Sequence, residues 1–249
     1  MDHSICKYFD STFLKTLEQS DCSESEYIDS LKSFILEAIE YKFKLVMIRQ
    51  EHIELANTYV QENNSQLLVG TVIDFPLGQS TINQKEKEIQ SAIELGADEI
   101  DIVLNYSLIK EKKWTYLKEE ILRCTTLCLE NKKITKWIIE SAALSDQEII
   151  SVCQLIRDLV LASFGPEQAK TVFVKSSTGY YQLPNGKSGG ATVAAIQLMV
   201  SHSAPLPVKA SGGVRNLTDF NKMLDAGVRR IGTSSALVIL NDKKSNSDY

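Results

Sequence analysis

The chain has 249 residues, of which 43% are hydrophobic and 24% charged, and its formal net charge is −5 at pH 7. This length and hydrophobic content allow one large α/β domain, or two small ones, with a sizeable core. The acidic balance argues against the basic stripe with which proteins bind nucleic acid, so no nucleic-acid partner is predicted. The three histidines are scattered along the chain, and we expect no metal cluster built on them.

The cysteines and the N-terminal segment predict the cellular compartment. Five cysteines occur without CxxC spacing, at positions 6, 22, 124, 128 and 153, so neither a disulfide framework nor a zinc site is expected. The start, MDHSICKYFDSTFLK, is charged and has no apolar core of signal-peptide length. No later run is expected to span a membrane. We therefore predict a cytoplasmic protein without a membrane partner.

Strand-like runs recur at intervals of roughly 25 to 40 residues, a spacing that fits repeated strand, loop and helix. The eight runs are ICKYFD (5–10), FKLVMI (43–48), SQLLVGTVIDF (65–75), DEIDIVLN (98–105), TKWIIES (135–141), KTVFVK (170–175), PLPVKA (205–210) and VRRIGTS (228–234). Between them lie amphipathic stretches such as SEYIDSLKSFILEAIEY and INQKEKEIQSAIELG.

This alternation predicts a parallel sheet, and eight strands favour a closed (β/α)8 TIM barrel over an open doubly wound sheet. We expect a single domain over residues 1–249, with a mobile polar tail from about residue 241. Gly96 and Gly227 follow two predicted helices and should adopt the left-handed conformation that ends them. The segment LVLASFGPEQAKTV is interpreted as a surface loop insertion before the sixth strand.

Two lysines end apolar runs where small hydroxyl or glycine residues follow: TVFVKSSTGY contains Lys175 and LPVKASGGVR contains Lys209. In a barrel these strand ends face one pocket. Two ammonium groups about 4 Å apart, at an effective dielectric of about 20, repel by about 4 kcal/mol, enough to lower the pKa of one amine by roughly 3. A neutral amine attacks carbonyl carbons, so the pair predicts Schiff-base chemistry. The alternative is that each is a snorkelling surface lysine.

A carboxylate in the fourth strand is the third candidate for catalysis. Asp101 alternates with apolar residues in DEIDIVLN and is expected to point into the barrel, where it would transfer protons. The alternative is that Asp98, Glu99 and Asp101 form a solvated strand edge. Glu140, at the end of the fifth run, is expected either to pair with a lysine or to face solvent.

Small-residue loops follow the last two strands and predict a phosphate site, because their backbone amides can approach an anion. The candidates are Gly212, Gly213, Gly232, Ser234 and Ser235. After Lys175, the residues Ser176, Thr178 and Gly179 offer hydroxyls and a flexible backbone for a polyol. Each loop is alternatively an ordinary turn or helix cap.

At these residues the sequence resembles the class I deoxyribose-phosphate aldolase family. The resemblance covers nearly the whole chain and rests on motifs in family order: FDSTFLK, TVIDFPLG, GADEIDIVLN, WIIES, VKSSTGY, GATVAAIQLM, VKASGGVR and IGTSS. It implies reversible cleavage of 2-deoxy-D-ribose 5-phosphate to glyceraldehyde 3-phosphate and acetaldehyde, without metal or other cofactor. The expected partner is a phosphosugar substrate, and a homodimer is left open.

The resemblance also implies residue roles. Lys175 is implied as the Schiff-base lysine, Lys209 as the cation that lowers its pKa, and Asp101 as the proton shuttle together with a bound water. Asp10 and Thr12 match the first-strand motif, where a structural contribution to the site is expected.

Four departures from the family pattern bear on the shape of the pocket rather than on the chemistry: Ser11, Met47, Arg49 and Asp74. Arg49 is expected to add a cation near the aldehyde end. The terminal Tyr249 is a weak parallel to relatives whose tail tyrosine reaches the site. Two alternatives stay open, another Schiff-base phosphosugar aldolase of the transaldolase kind, and a silent phosphosugar-binding barrel in which Arg49 or Asp74 spoils the lysine's neutrality.

Overall fold

The computed structural model describes residues 4–184, 186 and 188–247, with side chains described up to residue 242. Eight parallel strands close into a barrel in sequence order, because β8 pairs with β1. The strands are β1 (Phe9–Phe13), β2 (Leu45–Ile48), β3 (Leu68–Ile73), β4 (Glu99–Val103), β5 (Ile134–Ile138), β6 (Val172–Lys175), β7 (Val208–Ser211) and β8 (Arg230–Thr233). The predicted (β/α)8 fold class is confirmed.

Helices connect the strands on the outside of the barrel. They are α1 (Glu24–Glu40), α2 (Ile53–Glu62), α3 (Ile82–Glu94), α4 (Tyr106–Lys110), α5 (Trp114–Glu130), α6 (Asp146–Ala169), α7 (Val193–Ser203), α8 (Leu217–Asp225) and α9 (Ala236–Ser247). The glycines expected to end α3 and α8 do lie in the left-handed region, with φ of 94° at Gly96 and 100° at Gly227. Such φ values are strained for residues with a Cβ, which explains glycine at both positions.

Three of these helices, α1, α3 and α6, begin with reciprocal side-chain caps. Ser23 before α1 accepts a hydrogen bond from the Glu26 amide, and the Glu26 carboxylate accepts one from the Ser23 amide at 2.9 Å. Ser145 and Glu148 repeat the arrangement before α6, with 2.7 Å between the Ser145 amide and the carboxylate. These contacts satisfy backbone amides that have no partner inside the helix.

The strand register decides which side chains share the barrel interior. Asp101 on β4 lies opposite Lys136 on β5, and Lys175 on β6 lies opposite Lys209 on β7. Because side chains alternate between the two faces of a strand, each of these residues points to the same interior. The fold thus gathers charged groups that are far apart in sequence.

Apolar side chains fill two separate regions. The larger core lies between the sheet and the helices. A small cluster of Leu14, Leu45, Met47 and Val72 lies inside the barrel, on the side of β2 and β3. The barrel interior is therefore apolar on one side and charged on the other.

The first strand differs from the prediction. The run ICKYFD was expected to be a strand, but Cys6–Tyr8 forms a 3₁₀ turn and β1 begins at Phe9. Cys6 and Phe9 are buried in the main core. The apolar residues of this run therefore reflect burial of a turn against the helices, which sequence alternation cannot distinguish from a strand.

The interpretation of LVLASFGPEQAKTV as a surface loop insertion is also wrong, because residues 159–169 belong to α6. Gly165, with φ of 77° and ψ of 174°, is not helical, so α6 consists of two helical segments joined at a kink between Gly165 and Pro166, and the irregular SFGP stretch is a break within it. By length and composition, α6 is apolar enough to cross a membrane, with a mean hydropathy of 1.4. We had expected no run of the sequence to meet that criterion. Its buried residues, including Val152 and Ile156, pack in the main core as those of a barrel helix.

The remaining expectations concern the cysteines and the tail. None of the five cysteines, all within the described residues, forms a disulfide, and Cys22 is the exposed one. Residues 241–247, expected to be a polar tail, continue α9. Tyr249 lies outside the described residues, so its approach to the site stays a prediction.

We expect Ser145→Ala to lower the free energy of unfolding by about 1 kcal/mol, because the capping contacts of α6 are lost. Chemical denaturation followed by circular dichroism measures the change. Ser30→Ala is the matched control, since Ser30 is exposed within α1 and its hydroxyl only donates to the Glu26 carbonyl of its own helix. Equal losses in both variants would contradict the capping role.

Candidate active site

The two strand-end lysines meet on one carboxylate oxygen. The Nζ atoms of Lys175 and Lys209 lie 2.8 Å and 2.7 Å from Oδ2 of Asp101. Lys175 is 3% exposed and Lys209 is fully buried. They are thus buried neighbours and not snorkelling surface residues.

The environment of Lys175 lowers its pKa to about 8. Burial is the largest cause, because it disfavours the charged amine. The Asp101 carboxylate opposes this effect, and the positive charge of Lys209 lowers the pKa further. Repulsion between the lysines was our sequence-based explanation, and it is correct in sign but smaller than the effect of burial.

Asp101 is a buried ion and not part of a solvated strand edge. Its Oδ1 accepts a hydrogen bond from Lys136 at 2.7 Å, while Oδ2 serves the other two lysines. Burial alone would raise its pKa, but Lys136, Lys175 and Lys209 together hold that pKa well below the usual range. Asp101 is therefore ionised. Asp98, in contrast, is partly exposed and accepts from the Val69 amide at 2.9 Å.

Three charged residues beneath this group were not singled out from the sequence. Lys136 lies between Glu99 and Asp101, with Nζ 2.6 Å from Oε2 of Glu99. Arg230 binds both oxygens of Glu99, at 3.1 Å and 3.2 Å, and donates from Nε to Asp10 at 2.6 Å. The available signals were the charges at alternating positions of EIDIV and the lysine at the second position of TKWII.

Asp10 connects this lower layer to the lysines. Its Oδ2 is 2.5 Å from Nζ of Lys209, and its Oδ1 accepts from Arg230. Burial would raise the pKa of Asp10, but the cations of Arg230, Lys209 and Lys136 lower it strongly. Thr12, two residues along β1, lines the cavity above. The first-strand motif thus contributes an interior carboxylate.

A cavity of about 380 Å³ opens above Lys175, between the ends of β1, β6, β7 and β8. Its lining residues are Thr12, Phe13, Leu14, Lys15, Lys175, Thr178, Gly179, Tyr180, Ser211, Gly212, Gly213, Val214, Arg215, Gly232, Thr233 and Ser234. Four of the five phosphate candidates are among them. Ser235 is not, and its amide donates to Oγ1 of Thr233 at 3.0 Å.

The hydroxyl residues after Lys175 divide into two groups. Thr178 and Gly179 line the cavity. Ser176 does not, because its Oγ accepts from the Ser211 amide at 3.0 Å and ties β6 to β7. Of the three residues expected to contact a polyol, the structure therefore places Ser176 in a structural position.

Glu140 neither faces solvent nor binds a lysine directly. It is buried in a left-handed conformation with φ of 51°. One oxygen accepts hydrogen bonds from the amide and the hydroxyl of Thr178, the amide at 3.1 Å. Burial raises the pKa of its carboxyl group. Glu140 thus fixes a residue of the cavity wall.

None of the four departures from the family pattern is among the residues that line the cavity. Met47 belongs to the apolar cluster inside the barrel. Arg49 donates to the Leu14 carbonyl at 3.0 Å and stacks 5.2 Å above the centre of the Phe75 ring. Ser11 alternates with the interior residues of β1 and so faces the helices.

The fourth departure, Asp74, belongs to a second buried charge cluster. Its carboxylate accepts from the Ser80 amide at 2.8 Å and lies 3.3 Å from Nζ of Lys85. The charged groups that shift the pKa of Lys175 are instead Asp101, Lys209 and Lys136. The proposed spoiling of Lys175 by Arg49 or Asp74 therefore has no support in the geometry.

Comparison with known proteins agrees with the geometry. The family model described as "DeoC/LacD family aldolase" matches residues 2–242. Deoxyribose-phosphate aldolase of Staphylococcus epidermidis is 39% identical over 244 residues, 98% of each chain. That of Staphylococcus haemolyticus is 38% identical over 247 residues, 99% of this chain and all of the relative. The solved tetrameric deoxyribose phosphate aldolase of Aeropyrum pernix superposes with a TM-score of 0.78 at 26% identity, covering 98% of this chain and 92% of that one.

The pKa of Lys175 predicts its reactivity toward aldehydes. A pKa of about 8 leaves about one amine in ten neutral at pH 7, compared with about one in 3,000 for an ordinary lysine. Reductive methylation with formaldehyde and cyanoborohydride, followed by peptide mass spectrometry, should therefore show the Lys175 rate levelling off near pH 8. Exposed Lys170 reports, in the same digest, the reagent's reaction with an accessible amine. A Lys175 rate that keeps rising tenfold per pH unit beyond about pH 9 would contradict the lowered pKa.

Proposed function

We propose a reversible Schiff-base aldol cleavage as the reaction of this chain, which belongs to the DeoC/LacD family of aldolases. The substrate is 2-deoxy-D-ribose 5-phosphate and the products are D-glyceraldehyde 3-phosphate and acetaldehyde. The relatives named deoxyribose-phosphate aldolase support this substrate, since they match over nearly their whole length. The observation that carries the proposal is the buried Lys175, with a pKa of about 8, lining the cavity.

The reaction begins at the aldehyde carbon of the open-chain sugar. The neutral Nζ of Lys175 attacks C1 and forms a carbinolamine, which loses water to give an iminium ion. Formation of the carbinolamine moves one proton from nitrogen to the new hydroxyl oxygen, and loss of that hydroxyl as water requires a further proton, while the iminium nitrogen keeps its remaining hydrogen. Asp101 with one water is the proposed shuttle, because its carboxylate lies 2.8 Å from this nitrogen.

The iminium ion is the electron sink for carbon–carbon cleavage. A base removes the proton of the C3 hydroxyl, C3 becomes the aldehyde carbon of glyceraldehyde 3-phosphate, and the C2–C3 bond breaks. Its electron pair forms the C1–C2 double bond of an enamine and neutralises the nitrogen. Protonation at C2 and hydrolysis then release acetaldehyde and restore the amine.

Lys209 has two effects in this scheme. Its positive charge favours the neutral form of Lys175, and it holds Asp101 and Asp10 through Nζ. Among the cations that lower the pKa of Lys175, Lys209 has a larger effect than Lys136. We assign it the role of the pKa-lowering cation.

The phosphate is placed against the loops after β7 and β8. Gly212, Gly213, Gly232 and Ser234 line that side of the cavity. Positive φ at Gly212 and Gly213, 81° and 83°, brings the backbone of this loop into a conformation unfavourable for other residues. Thr178 and Gly179 face the sugar hydroxyls.

We further propose a cytoplasmic, oligomeric enzyme. The five cysteines form no disulfide among the described residues, which supports a reducing compartment. A homodimer is the state we expect, and the tetramer named for the Aeropyrum pernix relative is the alternative for a size measurement.

Lys175→Ala should abolish cleavage of deoxyribose 5-phosphate, with a loss of at least about 10³-fold in kcat, because the nucleophile is removed. The fold should survive, since the cavity-lining amine is neutral in a tenth of molecules and Asp101 keeps two other lysines. Activity assays and thermal unfolding measure the two effects.

Borohydride trapping separates a Schiff-base enzyme from a binding protein. With substrate and borohydride, the wild-type chain should gain a permanent adduct on Lys175, and so should Lys170→Ala, the exposed control. Near-normal turnover in Lys175→Ala, or an unlabelled wild-type chain, would refute the proposal. Transfer of a larger ketose fragment in place of acetaldehyde would favour the transaldolase-like alternative.

Chelator treatment should leave the activity unchanged, because the iminium ion accepts the electron pair that a metal would otherwise stabilise. Cleavage is assayed after dialysis against EDTA and again after adding divalent cations. A loss of activity that the cations restore would exclude the mechanism as written.

A further inference from the structure

We propose that Lys136 is a positioning residue for this reaction. It holds Asp101 from below. It also supplies the buried positive charge with which the barrel interior has zero net charge when Lys175 is neutral. The inference rests on the proposed function for its catalytic meaning. Lys136 does not line the cavity, so it acts through Asp101 and through charge.

Lys136 contacts more carboxylates than either catalytic lysine does. It is fully buried, and Nζ lies 2.6 Å from Glu99, 2.7 Å from Asp101 and 3.6 Å from Asp10. Burial alone would lower its pKa, but these three carboxylates raise it above the ordinary value. Lys136 therefore remains an ammonium ion.

The contact with Asp101 has a geometric consequence. Lys136 occupies Oδ1, which leaves Oδ2 to bind Lys175 and Lys209. A carboxylate with a free Oδ1 could rotate and present either oxygen to the amine. The Lys136 hydrogen bond thus fixes the proton acceptor beside the nucleophile.

The charges of the interior can be counted. The anions are Asp10, Glu99 and Asp101, and the cations are Lys136, Lys209 and Arg230, each joined to at least one of the anions. These six groups balance, and a protonated Lys175 adds one uncompensated positive charge. Net charge in a buried site is unfavourable, so the count favours loss of the Lys175 proton.

The other cations that line the cavity, Lys15 and Arg215, are exposed to solvent and lie outside these six buried groups. The residues of β2 and β3, LVMI and LVGTVI, include no titratable side chain. Glu140, after β5, binds the amide and the hydroxyl of Thr178 and none of these six groups, and the charges that most shift the pKa of Lys175 are Asp101, Lys209 and Lys136. Among the causes that lower the pKa of Lys175, Lys136 contributes after burial and Lys209.

Without the Lys136 charge, the buried groups have zero net charge when Lys175 is protonated, so protonated Lys175 should be favoured. In Lys136→Met, the pH midpoint for methylation of Lys175 should rise by about one unit, which means about tenfold fewer neutral amines at pH 7. The acid limb of the pH profile for deoxyribose 5-phosphate cleavage should move with it. The methylation assay needs no turnover, so it tests the inference separately from the proposed reaction.

Two further variants test the charge count. Glu99→Gln adds net positive charge and should move the midpoint below that of the wild type. The double variant K136M/E99Q restores the original count and should return the midpoint to near 8. If K136M alone does not fold, the midpoint of the double variant must still lie above that of E99Q.

Lys136→Arg keeps the charge and should keep the midpoint, even if altered packing reduces kcat. Lys85→Met is the matched control, because Lys85 is also fully buried but pairs with Asp74 and Glu120 outside this network. It should lose stability without moving the Lys175 midpoint. The inference would be overturned if the Lys175 midpoint stayed unchanged in K136M, or if E99Q and the double variant both kept the wild-type midpoint. Lys136 would then be a merely structural residue.

Discussion

The structure depends on the ionised carboxylate of Asp101, surrounded by three lysine side chains inside a closed barrel. Removing that carboxylate from water is unfavourable, and the three Nζ contacts at 2.7 to 2.8 Å offset the loss of solvation. Four different strands supply these groups: Asp101 lies on β4, and the lysines lie on β5, β6 and β7. Only a closed curved sheet converges four consecutive strands on one point, so the barrel and the site require each other.

The barrel interior is divided, and the division determines where substrate binds. On the side of β2 and β3, Leu45, Met47 and Val72 fill the space with close-packed apolar atoms. The packing there is close, because a Cβ on Gly70 would lie 2.8 Å from the terminal methyl of Met47, and that side chain would have to move to admit it. The cavity therefore opens over the charged side, above Lys175. Its walls come from β1 and β6 to β8, which places the amine and the glycine loops in one space.

The sequence predicted the upper layer of the site and missed the lower one, for a physical reason. Lys175 and Lys209 follow apolar runs and precede small residues, a local pattern that marks a strand end. Lys136 and Arg230 lie within or at the start of strands, where a charge is ordinarily a solvated edge. Their burial depends on partners fixed by the register of the whole barrel; Arg230 and Asp10 are separated by 220 positions. No local window carries that information.

The same charge distribution also affects the later steps of the proposed reaction. The iminium ion on Lys175 carries the same positive charge as a protonated lysine, in an interior whose other six charges already balance. Cleavage of the C2–C3 bond neutralises that nitrogen in the enamine. The excess charge is therefore relieved in the step that breaks the carbon–carbon bond. The Asp101 carboxylate, 2.8 Å from the nitrogen, stabilises the iminium ion enough for it to form. An interior that favours a neutral nucleophile at the start thus also favours the electron flow that the nucleophile initiates.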